Sequence, residues 1–532
     1  MKDSRKNTES YDKDRNGYID KDGHRYIDEA CGLIEFIDSS PSCFHAIDSI
    51  RREFAGYEEL KESSHWKLEP GKGYYVIRNS SSIIAFRIPE AFSSTSGGGF
   101  LVSAAHSDSP AFKVKQNGEI TVDKQYVKLN VEKYGGMIMS SWLDRPLSVA
   151  GRVFVRDNGK VMERLVNIDR DLLIIPNVAI HMNRDINEDC KYDMRKDMQP
   201  LLGMADADIT AYTDNETACT KSCTETRVNT KGVLNGLIAD VLNIAPESIL
   251  STDLFLYPRV KGTILGAGNE LIASRALDDL QCAYAIVQGF IKSGKPDVTD
   301  STDSANAENA GNIVNAGDIE NAKDTVNTLD TENTGCGVMI PVCCVFDSEE
   351  VGSGTRQGAD SGFLRDVLYR ITGALVRTSG KESDEAGFRN TGEGVADVNE
   401  VFMRLLADSF MISADNAHAV HPNHPEYADV NERPYLNGGV VVKFNAAQKY
   451  TTDAYSYARL KEVARRADVP LQIYSNRPDI AGGSTLGNLA VRHVPIPCVD
   501  IGLPQLAMHS CYETAGAYDT GYMIDLISEF YR

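Results

Sequence analysis

Three features of the 532-residue sequence predict an α/β fold, a mostly parallel or mixed sheet flanked by helices, with a β-rich module inserted into it. Short, continuous apolar runs alternate with helical segments through the C-terminal half, as in a sheet buried on both faces. Residues 110–262 instead alternate between strands and turns, with few long helices. An apolar content of 42% can fill a substantial core. At about 100–200 residues per domain, the length suits two or three folded units.

The first 24 residues are polar. Asp12, Asp14 and Asn16-Gly17 imitate part of a calcium loop, but Gly23 stands where a bidentate Glu is required, so a solvated tail is expected. From residue 25 onward, Tyr26, Ala30, Leu33 and Ile37 recur at helical spacing. Ile47, Ile50 and Phe54 repeat the pattern after the Ser40-Pro41 break. β-rich runs follow at 74–77, 83–88 and 100–105, the last leading into His106. Within 110–262, Asn158-Gly159 between two alternating runs marks a hairpin.

Beyond that module the pattern predicts helices at 278–291 and 363–375 and a C-terminal helix. It predicts strands at 338–346, 410–414, 440–444, 471–474 and 494–501. Residues 25–109 and 263–532 are therefore expected to form one discontinuous domain around the 110–262 insertion. Residues 297–334 carry nine acids, one Lys and no aromatic residue. Such a segment cannot bury enough apolar area to order itself and reads as an acidic, solvated insertion.

Charge and composition exclude several partners. With 55 Lys+Arg against 76 Asp+Glu, the net charge of −21 repels nucleic acid and anionic membrane alike. No run approaches the about 20 apolar residues a membrane span needs, and the N-terminus lacks the apolar region of a secretory signal. Eleven cysteines, an odd number without framework spacing, favour a reducing, cytoplasmic compartment. Cys219 and Cys223 have no second pair nearby to complete a zinc ribbon.

Five positions put metal-capable side chains at or beyond strand ends, where ligand sites of α/β sheets gather. They are His106 in AAHSDSP, Asp278-Asp279 in SRALDDL, Glu349-Glu350 in VFDSEEVGSG, Asp415 in MISADNAHAVHPNHPE and His509 in LAMHSCYE. Asp108, two residues beyond His106, can orient the imidazole. Two adjacent glutamates beyond an apolar strand are costly without a cation, and a general base beside a metal ligand explains the pair. Taken singly, each reads first as a satisfied loop His or a helix-capping Asp. Together they suit two divalent ions about 3.5–4 Å apart, bridged by a carboxylate.

With these residues in place, the sequence resembles the aspartyl aminopeptidase family of dinuclear zinc metallopeptidases along nearly its whole length. The segments AAHSDSPAFKVK, YGGMIMSSWLDRPLSVAGRV, IPNVAIHMNRDIN, DSEEVGSGTRQGADS and SADNAHAVHPNHPEY carry the likeness. The resemblance implies that His106, Asp278, Glu350, Asp415 and His509 bind two ions, with Asp278 bridging and Glu349 as catalytic base. It implies substrate contacts from His418, Lys443 and Tyr450. It gives His181 of the β-rich module a place reaching an active site. It also implies an inserted dimerisation domain and assembly into a dodecamer. Asp279 departs from the family's usual Asn, and the 297–334 segment is not a family feature.

The expected reaction is removal of the N-terminal residue, by preference Asp or Glu, from short peptides. Zinc is the expected ion, with cobalt or manganese able to replace it. Glu349 would move the proton of the attacking water, assisted by Asp108 and His418. Lys443 in VVVKF, a lysine in an apolar strand that needs a partner, is the candidate for reading an acidic side chain. The alternatives are a broad or neutral-residue aminopeptidase of the same family and a non-catalytic assembly protein retaining the fold.

Overall fold

The computed structural model describes residues 26–90, 98–188, 190–205, 232–294, 338–385, 397–480 and 482–532. The N-terminal tail, the partial calcium loop, Cys219, Cys223 and the acidic 297–334 segment lie outside them.

Helices Ile27–Asp38 and Cys43–Glu53 flank Pro41, whose fixed φ and missing N–H exclude one continuous helix there. The apolar residues that recur at helical spacing, Ala30, Leu33, Ile37, Ile47 and Ile50, are buried on one side of the central sheet. That sheet has nine strands. Their spatial order is Glu58–Glu59, Gly73–Arg78, Ser82–Arg87, Ile340–Phe346, Phe100–His106, Phe410–Ala414, Cys498–Gly502, Val440–Phe444 and Leu471–Ser475. The four from Ile340–Phe346 to Cys498–Gly502 run parallel. Ser82–Arg87 and Val440–Phe444 pair antiparallel on either side of them, so the sheet is mixed.

Alternate side chains of a strand feed opposite layers. Cys343 and Val345 join the layer of helices Leu277–Ser293 and Asp519–Phe530. Val342, Cys344 and Phe346 join the layer of Phe363–Glu385 and Val398–Ala407. Each large apolar side chain so buried contributes roughly 1.5–3 kcal/mol, which fixes the strands against slipping. The register then matters for the site. Phe346 pairs with His106 and Ser413 with Ala104, so three neighbouring strands end at one level. His106, Asp347 and Asp415 emerge there together.

A second sheet is wholly antiparallel, in the order Lys160–Asn167, Leu147–Asp157, Ile249–Pro258, Ala111–Val122, Tyr126–Tyr134 and Leu201–Met204. The hairpin at Asn158-Gly159 has φ of 48° and 76°, as a tight turn between twisted strands requires. Phe112, Trp142, Val149, Val153 and Leu254 form this sheet's own core with helix Val233–Leu242. A third sheet, not foreseen from the sequence, orders Thr263–Leu265, Leu271–Ser274, Glu513–Gly516, Pro504–Leu506 and Ala417–His418.

One expected strand is shorter than its apolar run. The 494–501 run pairs only from Cys498, because Pro495 and Pro497 offer no ladder N–H and Val494 N bonds to Ala490 O instead. No helix among the described residues is long and apolar enough to cross a membrane.

Candidate metal centre

The three strand ends, the start of helix Leu277–Ser293 and the loop carrying His509 bring His106, Asp278, Glu350, Asp415 and His509 together. Ligand atoms of His106, Asp278, Asp279 and Asp415 lie within 4.8 Å of one another, as do those of Asp278, Glu350 and His509, and those of His106, Glu349 and Glu350. Asp278 lies between the histidines: its Oδ1 is 3.6 Å from His106 Nε2 and its Oδ2 is 3.3 Å from His509 Nε2. His106 Nε2 is also 3.8 Å from Asp415 Oδ1, and His509 Nε2 is 3.5 Å from Glu350 Oε2.

Local backbone aims these groups. Asp278 and Asp279 open helix Leu277–Ser293 but depart from helical φ and ψ, so they are more than caps of its dipole. Asp279 Oδ2 accepts a hydrogen bond from His106 N at 3.1 Å. Glu349 and Glu350 sit on a single 3-10 turn, Glu349–Val351, entered through Ser348 in the left-handed region at φ 68°. Asp347 anchors that turn, accepting from Ser81 Oγ, Gln357 Nε2 and Ser348 N at 2.7, 3.1 and 2.7 Å. Burial, reinforced by Asp108, pushes its carboxyl up to about 6.

Asp108 links the His106 strand to the same turn. Its carboxylate accepts from Glu349 N, Glu350 N and Tyr134 Oη at 3.1, 3.2 and 2.8 Å. Its Oδ1 lies 3.4 Å from His106 Nδ1, but the hydrogen-bond contact of Nδ1, at 3.1 Å, is to the Asp108 backbone oxygen. Tyr134, a residue the sequence did not single out, comes from the second sheet.

The donor set fits cations. Asp278 Oδ1, Asp279 Oδ1 and Glu350 Oε1 are buried and without hydrogen-bond partners, which is costly for a carboxylate unless a positive charge meets it. Burial and mutual repulsion push Asp279 and Glu350 far above the usual carboxylate range, and Glu349 up to about 8. Such a cluster ionises together only when positive charge is supplied.

Around the cluster, Lys443 is 2% exposed, with Nζ 3.3 Å from Asp415 Oδ2 and donating to Asn416 O at 3.1 Å. Burial disfavours the Asp415 carboxylate, yet Lys443 and His106 hold its pKa well below the usual range. Tyr450 is buried, its ring centroid 5.4 Å from Lys443 Nζ. His418 is exposed, its ring edge-on to Tyr474 with centroids 5.9 Å apart. His421, half-buried, and His424, exposed, belong to none of the three clusters. His181 also stands apart, in an exposed turn of the module that holds the second sheet.

A model of the aminopeptidase I zinc metalloprotease family M18 matches residues 36–309 and 322–531, most of the chain. The chain belongs to the M18 family. The M18 match breaks inside the acidic 297–334 segment. The probable M18 family aminopeptidase 2 of Clostridium acetobutylicum is 38% identical over 504 residues, covering 94% of this chain and 98% of that protein. Aspartyl aminopeptidase 1 of Schizosaccharomyces pombe is 34% identical over 517 residues, 95% of each chain. Among solved structures, a chain from the cryo-EM complex of Ape4 and Nbr1 is 33% identical, with a TM-score of 0.75 over 94% of this chain and 85% of that one. A chain of the S. cerevisiae mApe1 dodecamer, 24% identical, shares the fold with a TM-score of 0.70 over 96% of this chain and 97% of that one. The protein is thus an M18 aminopeptidase, a hydrolase of a zinc metalloprotease family, and the non-catalytic reading of the fold is set aside.

Proposed function

We propose that the protein holds two divalent ions, by preference zinc, and removes an N-terminal Asp or Glu from short peptides. His106 and Asp415 would hold one ion, Glu350 and His509 the other, and Asp278 both. The observation that carries this reading is the Asp278 carboxylate, whose two oxygens face two different histidines. Bound there, the ions supply the Lewis acidity that polarises a peptide carbonyl and makes water acidic near neutral pH. Glu349, in the cluster with His106 and Glu350, accepts the water's proton and returns it to the leaving amine. Asp108 fixes the backbone of Glu349 and Glu350, so the base does not drift from the ligand beside it. His418 would donate to the developing oxyanion, and Tyr450, whose ring meets that of Tyr474 at 6.5 Å between centroids as His418 does at 5.9 Å, would line the same side.

Lys443 would read the acidic side chain of the substrate. A second reading, a broad or neutral-residue aminopeptidase, draws on the pairing of Lys443 with Asp415, which leaves less of its charge for substrate. Turnover of Asp-, Glu- and Leu-amide substrates separates the two. Faster cleavage of the acidic substrates supports the first reading, and equal or faster cleavage of the Leu substrate the second.

Assembly into a homo-oligomer belongs to the same proposal, with residues 110–262 as the dimerisation domain and His181 reaching an active site. The turn around His181 exposes Val178, Ile180 and Met182, an apolar surface that a second copy would cover. A cytoplasmic location is supported by the eight described cysteines, all free.

A further inference from the structure

We infer that Glu513 is a positioning residue for the metal centre, holding two of its ligand residues in place through their backbone amides. The inference rests on the two-ion reading above.

Glu513 opens the strand Glu513–Gly516, which pairs with Leu271–Ser274 just ahead of the Asp278 segment. Its side chain is 1% exposed. It belongs to none of the clusters able to hold an ion. What it does instead is accept hydrogen bonds. Oε1 accepts from His509 N at 2.7 Å and Oε2 from Asp278 N at 3.1 Å. Those amides belong to the two residues whose side chains face each other at 3.3 Å, although they lie 231 positions apart in the chain (509 − 278).

The same carboxylate touches a buried amide relay. Gln505 Nε2 lies 3.5 Å from Glu513 Oε1, and Gln505 Oε1 accepts from Asn416 Nδ2 at 2.7 Å. Asn416 follows Asp415 directly, and its Nδ2 also donates to Leu277 O at 3.0 Å. Glu513, Gln505 and Asn416 thereby join the segments that carry His509, Asp278 and Asp415. A metal site binds tightly when its ligands are held before the ion arrives, and the groups that hold them act without touching it.

The test uses full-length wild type, Glu513→Gln and Glu513→Asp. Gln matches Glu in shape but turns an NH2 toward one of the two amides. Asp keeps both acceptors on a stem one methylene shorter, displacing the amides it reaches. Zinc affinity is measured by competition with a chelator, alongside kcat, KM and thermal melting of the chelated proteins. The expected result is zinc affinity lowered about 10–100-fold in both variants. The chelated melting point should stay close to wild type, and the loss of turnover should fall on kcat more than on KM. Wild-type zinc affinity in either variant that folds overturns the inference. Failure of the wild type itself to bind zinc overturns the two-ion reading instead, so the two failures are distinguishable.

Discussion

His106 and His509, 403 positions apart in the chain (509 − 106), face opposite oxygens of one carboxylate, that of Asp278, at 3.6 and 3.3 Å. Asp278 Oδ1 is buried without a hydrogen-bond partner. A carboxylate so placed can serve two cations at once. Replacing Asp278 with Ala is expected to lower the metal content to one ion or fewer per chain and to abolish turnover with the fold retained. Metal analysis and circular dichroism on one sample check this.

Glu349 is separable from the ligands. It joins His106 and Glu350 in one cluster but belongs to neither of the clusters that contain Asp278. Glu349→Gln is therefore expected to keep its metal and lose about 10²–10⁴-fold in kcat, the usual contribution of a general base. Unchanged kcat would remove Glu349 from proton transfer.

Lys443 has a structural duty as well as a proposed substrate role. Its side chain is 3% exposed and that of Asp415 13%, so their ion pair is largely screened from water. Removing one partner of such a pair costs about 3–5 kcal/mol, because the other charge stays buried. Lys443→Met is expected to lower the urea midpoint accordingly in the chelated protein and to reduce the ratio of Asp- to Leu-substrate turnover. If wild type and variant alike prefer the Leu substrate, Lys443 does not read an acidic side chain.

Asp519 makes stability depend on pH. Fully buried, it accepts from Asn437 N and Gly439 N at 2.7 and 3.0 Å, and burial pushes its carboxyl up to about 7. The unfolded chain gives up this proton near pH 4, whereas the folded chain keeps it to about pH 7. Stability from this group is therefore full below pH 4 and is lost as pH rises to 7, by about 4 kcal/mol in all. Between pH 5 and 8 the urea midpoint of wild type should fall relative to that of Asp519→Asn. The metal cluster is common to both proteins and cancels. A constant difference would contradict the raised pKa.

Much of the frame was legible because apolar runs and strand ends are local signals. The strands Phe410–Ala414 and Val440–Phe444 lie where those runs predict them, and the five strand-end ligand candidates converge. What the sequence could not show is pairing. Lys443 and Asp415 were each singled out, yet nothing in their spacing indicates that one neutralises the other. The role of Glu513 depends on a contact to Asp278 across 235 positions, and its only local sign is an acid four residues beyond His509. The small third sheet escaped notice because its strands span as few as two residues, too short for a period-two pattern.

The most direct measurement counts metal ions per chain in the purified protein and follows peptide turnover through chelation and stepwise return of zinc. Two-ion hydrolysis predicts two ions per chain, activity lost on chelation, and full activity only when the second ion is restored. Full turnover with one ion or none would contradict it.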